Sequence, residues 1–132
     1  MSKKTILFVD DDPIALQLVM DEFRKVFANT VRYERATTAE EAEELIMEEM
    51  VLSGRLPAII VCDWMMPGKK GDQFMKEVKE MYPEISLILH SGLANKAEVE
   101  RIEDSASLLC SLPKPWDGKT YVDRIFKALS AA

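Results

Sequence analysis

The chain has one histidine, His90, and two cysteines, Cys62 and Cys110, in 132 residues. The cysteines have no Cys-x-x-Cys spacing and no histidine at metal-ligand distance, which argues against a zinc or redox centre. They read as buried thiols in a reducing compartment, and His90 as a packed or capped side chain. Basic residues are outnumbered: 17 Lys and Arg against 23 Asp and Glu leave a net charge of −6. That balance excludes nucleic-acid binding by bulk electrostatics, because phosphates would be repelled. The longest apolar runs, Ile6 to Val9 and Ala58 to Cys62, are far short of a membrane span. No long apolar stretch follows the charged residues up to Lys4, so a secretory signal is not expected, and the protein reads as cytoplasmic. The five glycines give no Gly-x-Gly-x-x-Gly, against a dinucleotide site. Without repeats or linker-like stretches, residues 1–132 read as one domain.

What the chain does have is alternation. Thr5 to Val9 is an apolar run, with Asp12 as N-cap and Pro13 at the first position of a helix. Leu16, Val19, Met20, Phe23, Val26 and Phe27 give that helix one apolar face. A strand around Val31 to Arg35 follows. Thr38 and Glu41 form a capping box before a helix with Ala42, Leu45, Ile46 and Met50 inward. Ala58 to Cys62 is apolar throughout, as befits a central parallel strand. Phe74, Val78 and Met81 mark a third helix, and Ile85 to Leu89 a fourth strand. Asn95 caps a helix carrying Val99 and Ile102, Leu108 to Leu112 forms a fifth strand, and Tyr121, Val122, Ile125, Phe126 and Leu129 line a last helix. Strict strand–helix alternation implies right-handed crossovers and a doubly wound α/β sheet.

In such sheets chemistry gathers beyond the carboxyl ends of the strands. Strand one ends in Asp10-Asp11-Asp12, strand three in Asp63, strand four in Ser91, and strand five runs into Lys114-Pro115. Neighbouring carboxylates repel unless they share a cation, and hard oxygen donors suit Mg²⁺. Asp63 can act as a nucleophile, Ser91 can hydrogen-bond a phosphoryl oxygen, and Lys114 can pair with another. The constellation points to phosphoryl transfer.

Each residue also has an ordinary structural reading. Asp12 suits a helix cap better than a ligand, Ser91-Gly92 a turn, and Lys114-Pro115 a loop entry. The Met65-Met66 pair can fill gaps beside a core. The stretch from Glu40 to Glu49, with six acids in ten residues, reads as a solvated helix face. The joint placement of acids, hydroxyl and lysine on four strand ends favours a site.

Four segments carry a family resemblance: Ile6 to Pro13, Asp63-Trp64-Met65-Met66-Pro67-Gly68-Lys69-Lys70-Gly71, Leu89 to Gly92, and Leu112 to Pro115. Together they resemble the receiver domains of two-component response regulators, over roughly Lys4 to Leu129. The resemblance implies a flavodoxin-like fold, a five-stranded parallel sheet in the order 2-1-3-4-5 flanked by five helices. It implies Asp63 as phosphoacceptor, Asp10 and Asp11 as an acidic pair for Mg²⁺, and the Met65 backbone carbonyl as a further ligand. Ser91 is then the switch hydroxyl and Lys114 the phosphate-contacting lysine, with a cis bond to Pro115. The implied partners are a sensor histidine kinase or histidine phosphotransfer protein upstream and an output partner or effector domain downstream. A switch of this kind carries its own autophosphorylation and autodephosphorylation chemistry and is not an enzyme in the ordinary sense.

The sequence departs from the family pattern at Ser111, where receivers usually carry Tyr or Phe, while Trp116 adds an aromatic nearby. Met65 and Leu93, at positions that commonly tune dephosphorylation, are apolar and expected to shield the acyl phosphate. Two rival readings are a haloacid-dehalogenase-type phosphatase using Asp10 and Asp12, and a receiver-like interaction module that is not phosphorylated. The first leaves the Asp63 to Pro67 segment unexplained.

Overall fold

The computed structural model describes residues 3–64, 66, 68–90, 92, 97, 100, 101 and 107–131. Five parallel strands, β1 (Lys4–Val9), β2 (Val31–Ala36), β3 (Ile59–Cys62), β4 (Ser86–His90) and β5 (Cys110–Leu112), form one sheet in the order β2-β1-β3-β4-β5. Four α-helices are defined among the described residues: α1 (Pro13–Phe27), α2 (Ala39–Ser53), α3 (Gly71–Met81) and α4 (Val122–Ala131). Of the helix expected around Asn95, Val99 and Ile102, those three residues lie outside the described residues, while Ala97, Glu100 and Arg101 are helical.

Side chains alternate across the sheet with the period of two that strands impose. Leu7, Val9, Ile60, Cys62, Leu87 and Leu89 face α2 and α3. Ile6, Phe8, Ile59, Val61, Ile88 and Leu112 face α1 and α4. β3 is buried at every residue, as a central strand covered on both faces must be. Cys62 and Cys110 are both buried and form no disulfide.

Local signals hold the helix starts. The Asp12 side chain accepts from the Ile14 N–H at 2.9 Å, with Pro13 in the first turn. Thr38 Oγ1 accepts from the Glu41 N–H at 3.0 Å, but the return arm of the box lands on Thr37, whose N–H donates to Glu41 Oε1. α2 ends on Gly54, which takes the left-handed conformation (φ 69°).

Some side chains expected inside stand outside. Met50, Met81, Tyr121 and Phe126 are all exposed. Helical periodicity marks the direction of the apolar face but not the width that neighbours cover. Trp116 also takes a different place: it is buried against Phe23 of α1, with ring centroids 4.6 Å apart. Its packing thus belongs to the α1–α4 side of the sheet, with Cys110 and Leu112. Ser111, between those two inward residues, points to the opposite face and pairs in register with Leu89.

Candidate functional site

The site is built by continuing the strand ladders past their ends. Asp10 follows β1, and its N–H donates to the Ala36 carbonyl at 3.2 Å; Asp63 follows β3, and its N–H donates to the Val9 carbonyl at 2.9 Å. The two carboxylates are therefore carried on adjacent strands of a fixed register. Both are buried, Asp10 to 2% exposure and Asp63 to 7%. Asp11 is exposed beside them. One oxygen from each of Asp10, Asp11 and Asp63 lies within 4.8 Å of the others.

Lys114 arrives from the far side of the sheet. Its Nζ donates to Asp10 Oδ2 at 2.9 Å and to Asp63 Oδ1 at 3.1 Å, across 104 and 51 residues of chain. Burial pushes the Asp63 pKa up, the Lys114 charge opposes this, and the Asp10 charge adds to it. Burial alone would lower the Lys114 pKa, but its bond to Asp10 and the charge of Asp63 outweigh that, and the ammonium is stabilised. Three carboxylates against one ammonium leave two formal negative charges. A hard divalent cation matches both that residue of charge and the all-oxygen donor set.

The loops around this cluster are pinned by residues that carry no chemistry. Gly71 opens α3, and its N–H donates to the Trp64 carbonyl at 3.1 Å. A Cβ there would overlap the Asp63 carbonyl oxygen, so only glycine lets α3 approach the Asp63 backbone. Lys69, in the same loop, donates to Glu43 of α2 at 2.9 Å and pairs with Glu77 of α3 at 2.8 Å. Two carboxylates on one ammonium raise the Lys69 pKa. After the cis Lys114–Pro115 bond, the Trp116 N–H donates to Glu22 Oε2 at 2.6 Å and its indole N–H to the Thr120 carbonyl.

His90 ends β4 and is buried beneath the site. Its ring bonds to the Pro113 carbonyl, while Nε2 has no hydrogen-bond partner. Burial first, and the nearby Lys114 charge second, lower its pKa to about 3, so the imidazole is neutral.

Of the residues expected from sequence, Asp10, Asp11, Asp63 and Lys114 are brought together. Ser91 and the Met65 carbonyl, like Leu93, lie outside the described residues. Asp12 is spent on its helix cap and is not part of the carboxylate cluster, which counts against the phosphatase reading. Glu22, Lys69 and Gly71 were not singled out as functional by sequence. The glycine spacing after Asp63 was the one available signal; Glu43, within the acidic run of α2, gave none of its tie to Lys69. A separate cavity of about 490 Å³ lies at the amino-terminal ends of the strands, where Arg32 and Arg55 mix with Glu34, Glu49 and Glu84. Among the described residues no group of three metal-ligating side chains forms there.

Comparison with known proteins agrees with this geometry. The family described as the response regulator receiver domain matches residues 6–126. The hydrogenase transcriptional regulatory protein HoxA of Cupriavidus necator is 30% identical over 127 residues, covering 96% of this chain and 24% of that protein. Its counterpart in Bradyrhizobium diazoefficiens is 26% identical, covering 95% and 24%. This chain thus spans about a quarter of the length of these curated relatives. Among solved structures, the signal receiver domain of an HD domain-containing protein from Pseudomonas fluorescens Pf-5 superposes with a TM-score of 0.80 at 20% identity, covering 99% of this chain and 90% of that one. A CheY-like receiver domain protein from Methanospirillum hungatei JF-1 gives 0.77 at 21% identity, covering 98% and 96%. These structures share the fold. The family match, from residue 6 to residue 126 of 132, makes this chain a member of the response regulator receiver domain family.

Proposed function

We propose that Asp63 accepts a phosphoryl group from a phosphohistidine of a sensor kinase or histidine phosphotransfer protein, and that the product is an aspartyl phosphate that switches the surface of the domain. The observation that carries this reading is the buried Asp63 carboxylate held by Lys114 beside Asp10 and Asp11. As a receiver, the chain is a signalling switch of two-component systems rather than an ordinary enzyme.

Asp10, Asp11 and Asp63 would hold Mg²⁺, with the Met65 carbonyl as a further donor. That cation supplies charge neutralisation at the phosphoryl oxygens. Asp63 attacks phosphorus, and the bond from phosphorus to the donor imidazole breaks as the new oxygen–phosphorus bond forms. Lys114, already at bonding distance from Asp63, is placed to pair with a phosphoryl oxygen as charge moves onto it. Ser91 is the hydroxyl that follows the phosphoryl group in the switched state. Small phosphodonors serve the same reaction, and water later attacks the acyl phosphate and resets the switch.

The receiver match covers residues 6–126, and the phosphorelay reading places its work in the cytoplasm. Among the described residues no helix is long and apolar enough to cross a membrane. The hydrogenase transcriptional regulatory proteins among its relatives support transcription as the process it reports to. The test is the chemistry of the bond. Labelled phosphate taken up from acetyl phosphate with Mg²⁺ should be released by neutral hydroxylamine, which cleaves acyl phosphates. Label that resists hydroxylamine would contradict an aspartyl phosphate.

A further inference from the structure

The solvent side of α2 begins acidic and ends apolar. Glu40, Glu44 and Glu48 recur every four residues, and the last two turns expose Met47 (60%), Val51 (78%) and Leu52 (82%). Met47 and Val51 stand four apart and share a face. Met81, at the end of α3, is 65% exposed. Met47 and Met81 line the same small cleft between the two helices, floored by Ile46, Phe74 and Val78. Scattered exposed apolar residues are ordinary, but Met47 and Met81 at the lip of one cleft, with Val51 one turn beyond Met47 on the same face, mark an interaction surface. The core does not call on them, since α2 buries Ala39, Ala42 and Ile46 instead. Methionines at the lip adapt to the shape of whatever enters.

The charges around the cleft identify the occupant. Its rim carries Glu43 and Glu77, and both already grip an ammonium, that of Lys69. Glu44 and Glu48, exposed beside Met47, form no ion pair among the described residues. A second copy docking through the same face would set the acids of α2 against their own image, on a chain already at −6. We infer that the α2–α3 face is a docking surface for a basic amphipathic helix of a partner protein. Apolar side chains of that helix enter between Met47, Val51 and Met81, and its lysines or arginines meet Glu44 and Glu48. The patch sits at the carboxyl ends of α2 and α3, away from the carboxylate cluster, so docking leaves Asp63 open to a phosphodonor.

The experiment uses the full chain and a fluorescein-labelled peptide of about 18 residues, with leucines at helical spacing flanked by lysines. A peptide of the same composition, scrambled to break the stripe, and a glutamate-for-lysine version are the controls. The expected result is saturable anisotropy with the striped peptide and at least tenfold weaker binding of both controls. Amide shifts should centre on Met47 to Leu52 and Met81. Val51→Asp should weaken binding at least tenfold, and Glu44→Lys with Glu48→Lys should weaken it and flatten its salt dependence; circular dichroism checks that these surface variants stay folded. Equal binding of striped and scrambled peptides, shifts centred elsewhere, or no binding would overturn the inference. So would a concentration-dependent dimer in sedimentation that Val51→Asp abolishes, since the occupant would then be a second copy.

Discussion

The carbonyl oxygen of Asp63 occupies the space in which a side chain on Gly71 would begin. The start of α3 and the end of β3 are thus in backbone contact, and the position of Asp63 depends on a residue eight places later. Gly71→Ala must push the two apart. It should cost about 1–3 kcal/mol of stability, as overpacking typically does, and should slow phosphoryl uptake because Asp63 shifts relative to Lys114. Urea unfolding and a phosphorylation time course check both effects; wild-type values for both would show that the contact does not set the site.

Lys114 opposes part of the charge of Asp10, Asp11 and Asp63. Lys114→Gln changes the local formal charge from −2 to −3. Two effects of opposite sign should follow: Mg²⁺ binds more tightly, and phosphoryl uptake falls by about a hundredfold, the scale of losing one preorganised charge at a transition state. Titration of Trp64 fluorescence with Mg²⁺ reads the first and intact mass the second. Trp64 is next to Asp63, whereas Trp116 is packed on Phe23, so Trp64→Phe should abolish the fluorescence response and Trp116→Phe should preserve it. A parallel loss of Mg²⁺ binding and uptake in Lys114→Gln would contradict this division of roles.

His90 gives stability a pH dependence whose sign is fixed. The unfolded chain takes up a proton near pH 6.5, and the folded protein only at about 3. The folded pKa is the lower one, so the contribution is full above pH 6.5 and is lost as pH falls, by about 1.4 kcal/mol per pH unit across that window. His90→Gln keeps a side-chain N–H and cannot titrate. The stability difference between wild type and variant, measured by urea unfolding from pH 7 to pH 4, should shift against the wild type on acidification. A difference that stays constant with pH would contradict a buried neutral His90.

Glu22 reaches across from α1 to hold the Trp116 N–H two residues after Lys114. A hydrogen bond to a charged acceptor contributes about 1.5–3 kcal/mol, and Glu22→Ala should lose an amount near the lower end, since Glu22 is only half-buried. The same variant should slow phosphoryl uptake by loosening the loop that carries Lys114. Unchanged stability and uptake would show the contact to be incidental.

The strands and the principal acids were legible in the sequence because both follow local rules. Apolar runs of strand length ended in Asp10 and Asp63, and the alternation of elements placed those ends on one edge. Ties made only by tertiary approach were not legible. Glu43 sits in a run of acids that all suit a solvated face, and only the folded loop brings Lys69 to it across 26 residues. Trp116 could be located in the chain but not assigned a side of the sheet, because the loop after β5 turns it toward Phe23. Met50 and Met81 carry helical spacing yet stay outside, since the number of residues a helix buries depends on its neighbours. Burial and a bond to Lys114 are common to Asp10 and Asp63, so neither distinguishes them; Asp63 is proposed as the phosphoacceptor because it follows β3, the middle strand of the sheet, and begins the segment that resembles the family pattern.

The most direct test is intact mass after incubation with acetyl phosphate, with Mg²⁺ and with a chelator in its place, for wild type and Asp63→Asn. Wild type with Mg²⁺ should gain one phosphoryl group, and neither the chelated sample nor Asp63→Asn should gain any. An increment of the same size on Asp63→Asn would contradict Asp63 as the phosphoacceptor.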